Sequence, residues 1–301
     1  MRNAFCNALV ELAADPAFVF LTGDLGFKAL EPLRDRMGAR FINAGVAEQN
    51  MVSVAAGLAK EGLRPWVYSI APFLYARAFE QIRNDVCLHG MPVVLVGNGG
   101  GYGYGVMGST HHAIEDYGAL LSLQGMRVYI PAFDGDLSEV TRYLLRAGHP
   151  AYLRLGVSEQ PGWFSPPQFA PWRHLLPGTG PTIVIAGALA GGILEAVHQG
   201  GISADVWLVS ELPVTELPSE FLSSLSRSDY LLVIEEHVCA GGLGQMLSHQ
   251  LLLGGAAPGQ FVHRTALGYV SGKYGSQHFH RAECGLDPVS ILAELNRAAV
   301  T

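Results

Sequence analysis

Charge is scarce in this 301-residue chain: charged side chains make up 15% of it, and the formal net charge is −7. No run of Lys or Arg offsets that balance, which excludes nucleic acid as the main partner. Cysteine is sparse too, and the four (Cys6, Cys87, Cys239 and Cys284) stand far apart. They form no CxxC and no Cys/His metal spacing, so they read as free thiols in a reducing compartment. No stretch nears the roughly 20 apolar residues that a membrane span needs. The opening residues, MRNAFCNALVELAADP, contain an acid and lack a secretory apolar core. A soluble, cytoplasmic protein is expected. Also missing are GxGxxG followed by an acid on the next strand, and GxxxxGK[ST], so a phosphate-cradling P-loop is not expected. What the chain does have is apolar bulk, at 49% of residues. That supplies a large core for about two domains. Little charge on so apolar a chain also suggests a surface covered by other protein.

Short apolar runs alternate with helical spacing from the start. Strands are expected at Phe18–Leu21, Arg40–Asn43, Trp66–Ile70, Pro92–Gly97, Arg127–Ile130 and Ala151–Leu155. Helices are expected at 3–14, from Glu48, and over Tyr75–Leu88, Glu115–Leu123 and Asp136–Ala147. Such alternation means a mostly parallel sheet with helices on both faces. Between 157 and 181 the prolines Pro161, Pro166, Pro167, Pro171, Pro177 and Pro181 break regular structure. Residues 158–181 are therefore expected to link a first unit, 1–157, to a smaller α/β unit, 182–301. The second unit has expected strands Thr182–Ala186, Ala204–Val209, Tyr230–Glu235 and Gly259–Thr265. Its expected helices are Leu189–Gln199, Pro218–Ser226, Gly244–Leu253 and Pro288–Ala299.

Three stretches carry candidate chemistry. In NAGVAEQN, Glu48 falls in the opening turn of a helix that is otherwise apolar or small. The helix dipole favours an acid there whether or not it has a ligand. The sharper reading is a carboxylate built to hydrogen-bond a cofactor nitrogen. The loop Gly97–His112 is rich in glycine, which lets backbone approach a ligand closely, and it ends in His111 and His112. Neutral imidazoles there can orient hydroxyls or move protons. Glu115 and Asp116 lie a helix turn away from these histidines, so this chain alone is expected to hold no metal. The third stretch is Pro72-Phe73-Leu74-Tyr75 with Arg77, at the end of a strand, where an aromatic can stack on a flat ring.

In this order and spacing, NAGVAEQNMVSVAAGLA, YSIAPFLYARAFEQIRND and GSTHHAIED resemble the pyrimidine-binding half of transketolases. They are also similar to 1-deoxyxylulose-5-phosphate synthases and to the β subunits of 2-oxoacid dehydrogenase decarboxylating components. The tail, with Glu235-Glu236-His237 and Gly241-Gly242-Leu243-Gly244, resembles the transketolase C-terminal domain. The resemblance implies thiamine diphosphate as cofactor. It gives Glu48 the role of bonding N1′ of the aminopyrimidine, which promotes loss of the thiazolium C2 proton. It places Phe73 on the pyrimidine, with Tyr75 and Arg77 beside the cofactor. His111 and His112 would face substrate hydroxyls, Arg154 is counted with them as a substrate contact, and Asp24 would lie near substrate or the partner chain.

The resemblance has gaps. The diphosphate-binding half, whose acid and amide hold Mg²⁺, is missing. The chain therefore resembles the C-terminal subunit of a split transketolase, with an N-terminal subunit supplying the metal ligands in an α2β2 assembly. Alone, it is expected to pair with itself. An acid of the family's substrate loop is replaced by Met107, and the place of a phosphate-binding arginine holds Val157, with Arg154 three residues earlier. These departures point to a sugar or keto substrate with fewer phosphates or hydroxyls, because a phosphate loses a charge-assisted partner. Two alternatives stay open: a 2-oxoacid-decarboxylating or acyloin-forming subunit, and a non-catalytic scaffold that kept the fold.

Overall fold

The computed structural model describes residues 1–26 and 28–298. Strands β1 (Phe18–Thr22), β2 (Phe41–Asn43), β3 (Arg64–Ile70), β4 (Val94–Asn98), β5 (Arg127–Tyr129) and β6 (Ala151–Leu155) follow in chain order. They pair in parallel throughout. β1, β4 and β6 are short apolar runs buried nearly along their whole length, as expected of strands covered on both faces. Register sets where the connecting loops emerge. Thr22 pairs with Asn43, Ile70 with Asn98, and Asn98 with Leu155. The loops carrying Asp24, Glu48, Phe73 and His111 therefore leave the same edge of the sheet.

Strands β7 (Trp172–Leu176), β8 (Thr182–Ala186), β9 (Asp205–Val209), β10 (Glu211–Leu212), β11 (Tyr230–Ile234) and β12 (Gln260–Arg264) complete the set. The two sheets run β10-β5-β6-β4-β3-β1-β2 and β12-β11-β8-β9-β7. Residues 172–176, expected to lie in an irregular linker, form β7, antiparallel to β9. Just past β9 the chain crosses back. Glu211 and Leu212 pair antiparallel with Tyr129 and Val128, and Arg127 Nη1 meets Glu211 Oε1 at 2.9 Å. The prolines shape the connections around β7 without preventing a strand.

The helix Glu48–Lys60 buries Met51, Val52, Ala55, Ala56 and Ala59, at helical spacing. Val54, on the same helix, is 40% exposed. The helix expected over 75–88 is broken into Ala71–Tyr75, Phe79–Gln81 and a π-helical stretch, Ile82–Cys87. The π-helical stretch buries Ile82, Val86 and Cys87. Two further helices, Glu31–Met37 and Gln277–Glu283, were not expected. The last helix spans Pro288–Ala298, and residue 299 of the expected one lies outside the described residues.

Beneath the first sheet, Phe5 lies 5.9 Å from Tyr68 and 6.1 Å from Trp66 in an aromatic layer. That layer anchors the N-terminal helix, Arg2–Leu12, below β3. Among the described residues, no helix is long and apolar enough to cross a membrane.

Candidate active site

The turn before Glu48 is set by small residues and one amide. Asn43 Oδ1 accepts from the backbone N–H groups of Asp24 and Gly45, each at 3.0 Å, and Asn43 Nδ2 donates to Asp24 Oδ1 at 3.0 Å. A side chain at Gly23 would meet Gly45 O at 3.2 Å, so the end of β1 passes close under this turn. The chain then enters its helix with the Glu48 carboxylate turned inward, 2% exposed.

A buried carboxylate needs partners. Ser69, buried near the end of β3, donates Oγ–H to Glu48 Oε1 at 3.3 Å, and Arg77 Nη1 donates to Oε2 at 2.8 Å. The Arg77 guanidinium also lies 4.5 Å above the Phe73 ring. Phe73 meets His111 edge-on at 5.0 Å between ring centroids. Thr110 Oγ1 is 2.9 Å from His111 Nδ1, and the Tyr104 ring is 5.7 Å from the imidazole. Glu48, Ser69, Arg77, Phe73 and His111 thus form one continuous chain of contacts at the C-terminal edge of the sheet. Open α/β sheets bind their ligands at that edge.

Other candidates stand elsewhere. Asp24, at φ 54°, is exposed. With Thr22, Arg34 and Asn43 it lines a cavity of about 400 Å³ beyond β2. Tyr75, expected beside the cofactor, is buried and donates its hydroxyl to Glu115 Oε2 at 3.2 Å. Burial, then the neighbouring Asp116 and Glu115, push its pKa up, so it stays a neutral packing group.

His112 and Arg154 correct the expected substrate set. His112 is 3% exposed, with Nε2 2.7 Å from Gly105 O and Nδ1 2.9 Å from the Tyr269 hydroxyl. Both ring nitrogens are occupied, and burial holds its pKa below the ordinary imidazole value. It fastens the glycine-rich loop to the second unit. Arg154 Nε donates to Asp116 Oδ2 at 2.8 Å, while Nη2 donates to Ala113 O and to Glu236 O at 2.9 and 3.0 Å. Its side chain is 8% exposed. It is a largely buried tie between the two units, with Nε and Nη2 committed to Asp116, Ala113 and Glu236.

The sequence reading missed Ser69, Tyr104 and Tyr274. Ser69 is the one hydroxyl in the apolar run WVYSI apart from the tyrosine, a signal that could have found it. Tyr274 comes from the second unit and lies far off in sequence. Its hydroxyl is 3.0 Å from Ser109 Oγ, and a side chain at Gly108 would meet its ring at 3.2 Å. The rim of the site is apolar and open: Val106, Met107 and Val157 are 73%, 55% and 51% exposed. A cavity of about 260 Å³ beside Val157 is also lined by Arg2, Asn98, Tyr104 and Ser158.

Known proteins share this framework. The family model described as "Transketolase, pyrimidine binding domain" matches residues 1–161. An apulose-4-phosphate transketolase subunit of Phocaeicola vulgatus is 30% identical over 259 residues, covering 83% of this chain and 83% of the relative. 1-Deoxy-D-xylulose-5-phosphate synthase 2 of Geobacter sulfurreducens is 33% identical over 283 residues, and the match spans 91% of this chain but 44% of that protein. A solved structure described as "Split gene transketolase, inactive beta4 tetramer" superposes with a TM-score of 0.82 at 30% identity, covering 99% of this chain and 97% of that one.

Proposed function

The chain belongs to the transketolase family through its pyrimidine-binding domain, and from that premise we propose that it is the C-terminal subunit of a split, thiamine-diphosphate-dependent transketolase. In this reading it transfers a two-carbon ketol unit from a ketose-type donor to an aldehyde acceptor. The observation that carries the reading is the buried Glu48 carboxylate, held by Ser69 and Arg77 with the Phe73 ring beside it.

That donor set fits the pyrimidine end of the cofactor. A buried acid suits a ring nitrogen that must share a proton, and an aromatic ring suits a flat heterocycle. Glu48 would hold N1′, and Phe73 would cover the ring face. When bound, thiamine diphosphate supplies the thiazolium carbon at which the bond next to a carbonyl is cleaved and formed. Glu48 holds or releases the proton at N1′ in the course of that chemistry. Ser69 keeps the carboxylate oriented through Oε1. Arg77 pairs with Oε2, and its exposed position lets it swing clear. His111, fixed against Phe73, orients a substrate hydroxyl or exchanges a proton with it.

The diphosphate end and Mg²⁺ are assigned to an N-terminal partner subunit, in an α2β2 arrangement. The low charge and the exposed Val46, Val106 and Met107 support a covered surface at this edge. We place the enzyme in the cytoplasm, in carbohydrate metabolism; the free thiols fit a reducing compartment. The test is reconstitution. Mixing the chain with its diphosphate-binding partner, thiamine diphosphate and Mg²⁺ should give ketol transfer that neither subunit shows alone. A stable pair that takes up no thiamine diphosphate would overturn the reading.

A further inference from the structure

Cys239, His263 and Glu235 stand in line on the second unit and share no residue with the Glu48 site. Cys239 Sγ lies 3.7 Å from His263 Nδ1, and His263 Nε2 lies 2.6 Å from Glu235 Oε1. Glu235 is fully buried, whereas Cys239 is exposed at the turn between β11 and the helix Leu243–Leu253.

The order of protons follows from the carboxylate. Glu235 also accepts from the backbone N–H groups of Leu243 and Gly244, at 2.7 and 2.9 Å, and from the Tyr117 hydroxyl. Burial pushes its pKa up, but the bonds from His263, Gly244 and Tyr117 outweigh that and hold it below the ordinary carboxylate value. An ionised carboxylate has no proton to give, so Nε2 of His263 is the donor. In that tautomer the ring presents the lone pair of Nδ1 to the sulfur.

Two glycines hold the arrangement. A side chain on Gly244 would meet the His263 ring at 2.4 Å, and one on Gly242 would meet Glu235 Oε1 at 2.5 Å. The GGLG turn therefore leaves the base and its acid the room this orientation needs. A nucleophile, a base within reach and a third group that orients the base are the parts of an activated thiol. The other thiols lack them: Cys6, Cys87 and Cys284 are buried, and burial pushes Cys6 and Cys87 up to about 11.

We propose that Cys239 is a reactive thiol, with His263 as its base and Glu235 orienting that base, and that it takes up low-molecular-weight disulfides by exchange. His263 Nδ1 accepts the thiol proton, and Sγ attacks one sulfur of the disulfide. The new Sγ–S bond forms as the S–S bond breaks, and the leaving thiolate takes the proton from His263. One small thiol is released for each mixed disulfide formed. The protein sulfur is oxidised, and the released half of the disulfide is reduced.

The full chain treated with glutathione disulfide should carry one adduct, at Cys239, by peptide mass mapping. With 5,5′-dithiobis(2-nitrobenzoate) at neutral pH, one thiol should react at least about tenfold faster than in the urea-unfolded chain, a floor set below the roughly 10²–10⁴-fold reach of general-base assistance. Cys239→Ser should remove that phase. His263→Gln should slow it about tenfold; the His263 side chain is 13% exposed and bonds the buried Glu235, so thermal unfolding is measured beside the rate, with the Gln amide still able to donate to that carboxylate. An adduct mapped mainly to another cysteine would overturn the proposal. So would a native Cys239 that reacts no faster than the unfolded thiol, or one unaffected by His263→Gln. Should His263→Gln fail to fold, the comparison of native with unfolded chain still decides.

Discussion

Arg77 Nη1 lies 2.8 Å from Glu48 Oε2, yet the two side chains sit in different solvents: the acid is 2% exposed and the cation 45%. The asymmetry separates stability from function. Removing the acid leaves an arginine that can turn to water, so no buried charge is stranded. Glu48→Gln should therefore cost about 1 kcal/mol of stability or less, in the range of an exposed pair. Ketol transfer by the reconstituted pair should fall about 10²–10⁴-fold, the usual effect of losing a positioned acid or base. Thermal unfolding of the variant beside initial rates of the assembled enzyme gives both numbers. Activity within twofold of the parent would remove Glu48 from the chemistry.

The opposite division holds at Arg154. Its ion pair with Asp116 is buried on both sides, and Nη2 donates to Ala113 O and Glu236 O. Arg154→Ala strands a carboxylate that also accepts from the Tyr152 hydroxyl at 2.8 Å. Such a break costs about 3–5 kcal/mol. Urea unfolding should show a lower midpoint, and soluble yield should drop. A variant of unchanged stability with a raised KM would return Arg154 to the substrate site.

The two arginines also show what a sequence can and cannot display. The parallel sheet was legible because each strand is a short apolar run, and Glu48 stood out as an acid opening an otherwise apolar helix. Arg154 was misread because alternation along a strand gives its face but not its partner. It shares a face with Tyr152, and Asp116, 38 residues away, comes to that face only through the fold. The edge strand β10 was hidden for a similar reason. Glu211 and Leu212 have no strand signature of their own and are held by pairing with Tyr129 and Val128. His112 looked like the twin of His111, but its burial depends on Tyr269, a residue of the second unit.

Burial of His112 and His237 makes stability depend on pH with a defined sign. Burial holds both pKa values below the ordinary imidazole value. The unfolded chain therefore binds protons at a higher pH than the folded one, and unfolding free energy rises with pH across that interval. The contribution is complete above the unfolded value of about 6.5 and is lost as pH falls through the lower folded values. The melting temperature should fall as pH drops from neutrality towards 5, before the carboxylates titrate. His112→Gln should flatten part of that fall. A melting temperature flat from pH 7 to 5 would contradict the burial argument.

The rim of the site predicts which substrates are favoured. Where related enzymes are expected to carry an acid and an arginine, Met107 and Val157 present exposed apolar surface, and Arg154 is committed to Asp116. A phosphate ester therefore finds fewer charge-assisted donors here. The reconstituted enzyme should prefer a sugar phosphate over its unphosphorylated analogue by less than about tenfold in kcat/KM, roughly 1.4 kcal/mol. Val157→Arg should raise that preference by lowering KM for the phosphate ester alone. Arg2 is the competing source of charge, because it lines the cavity beside Val157. A strong phosphate preference that disappears in Arg2→Ala would show that the N-terminal helix supplies the missing cation, and the unphosphorylated assignment would have to be given up. Arg2→Ala without effect on either substrate, together with a weak parental preference, is the outcome expected of an apolar rim.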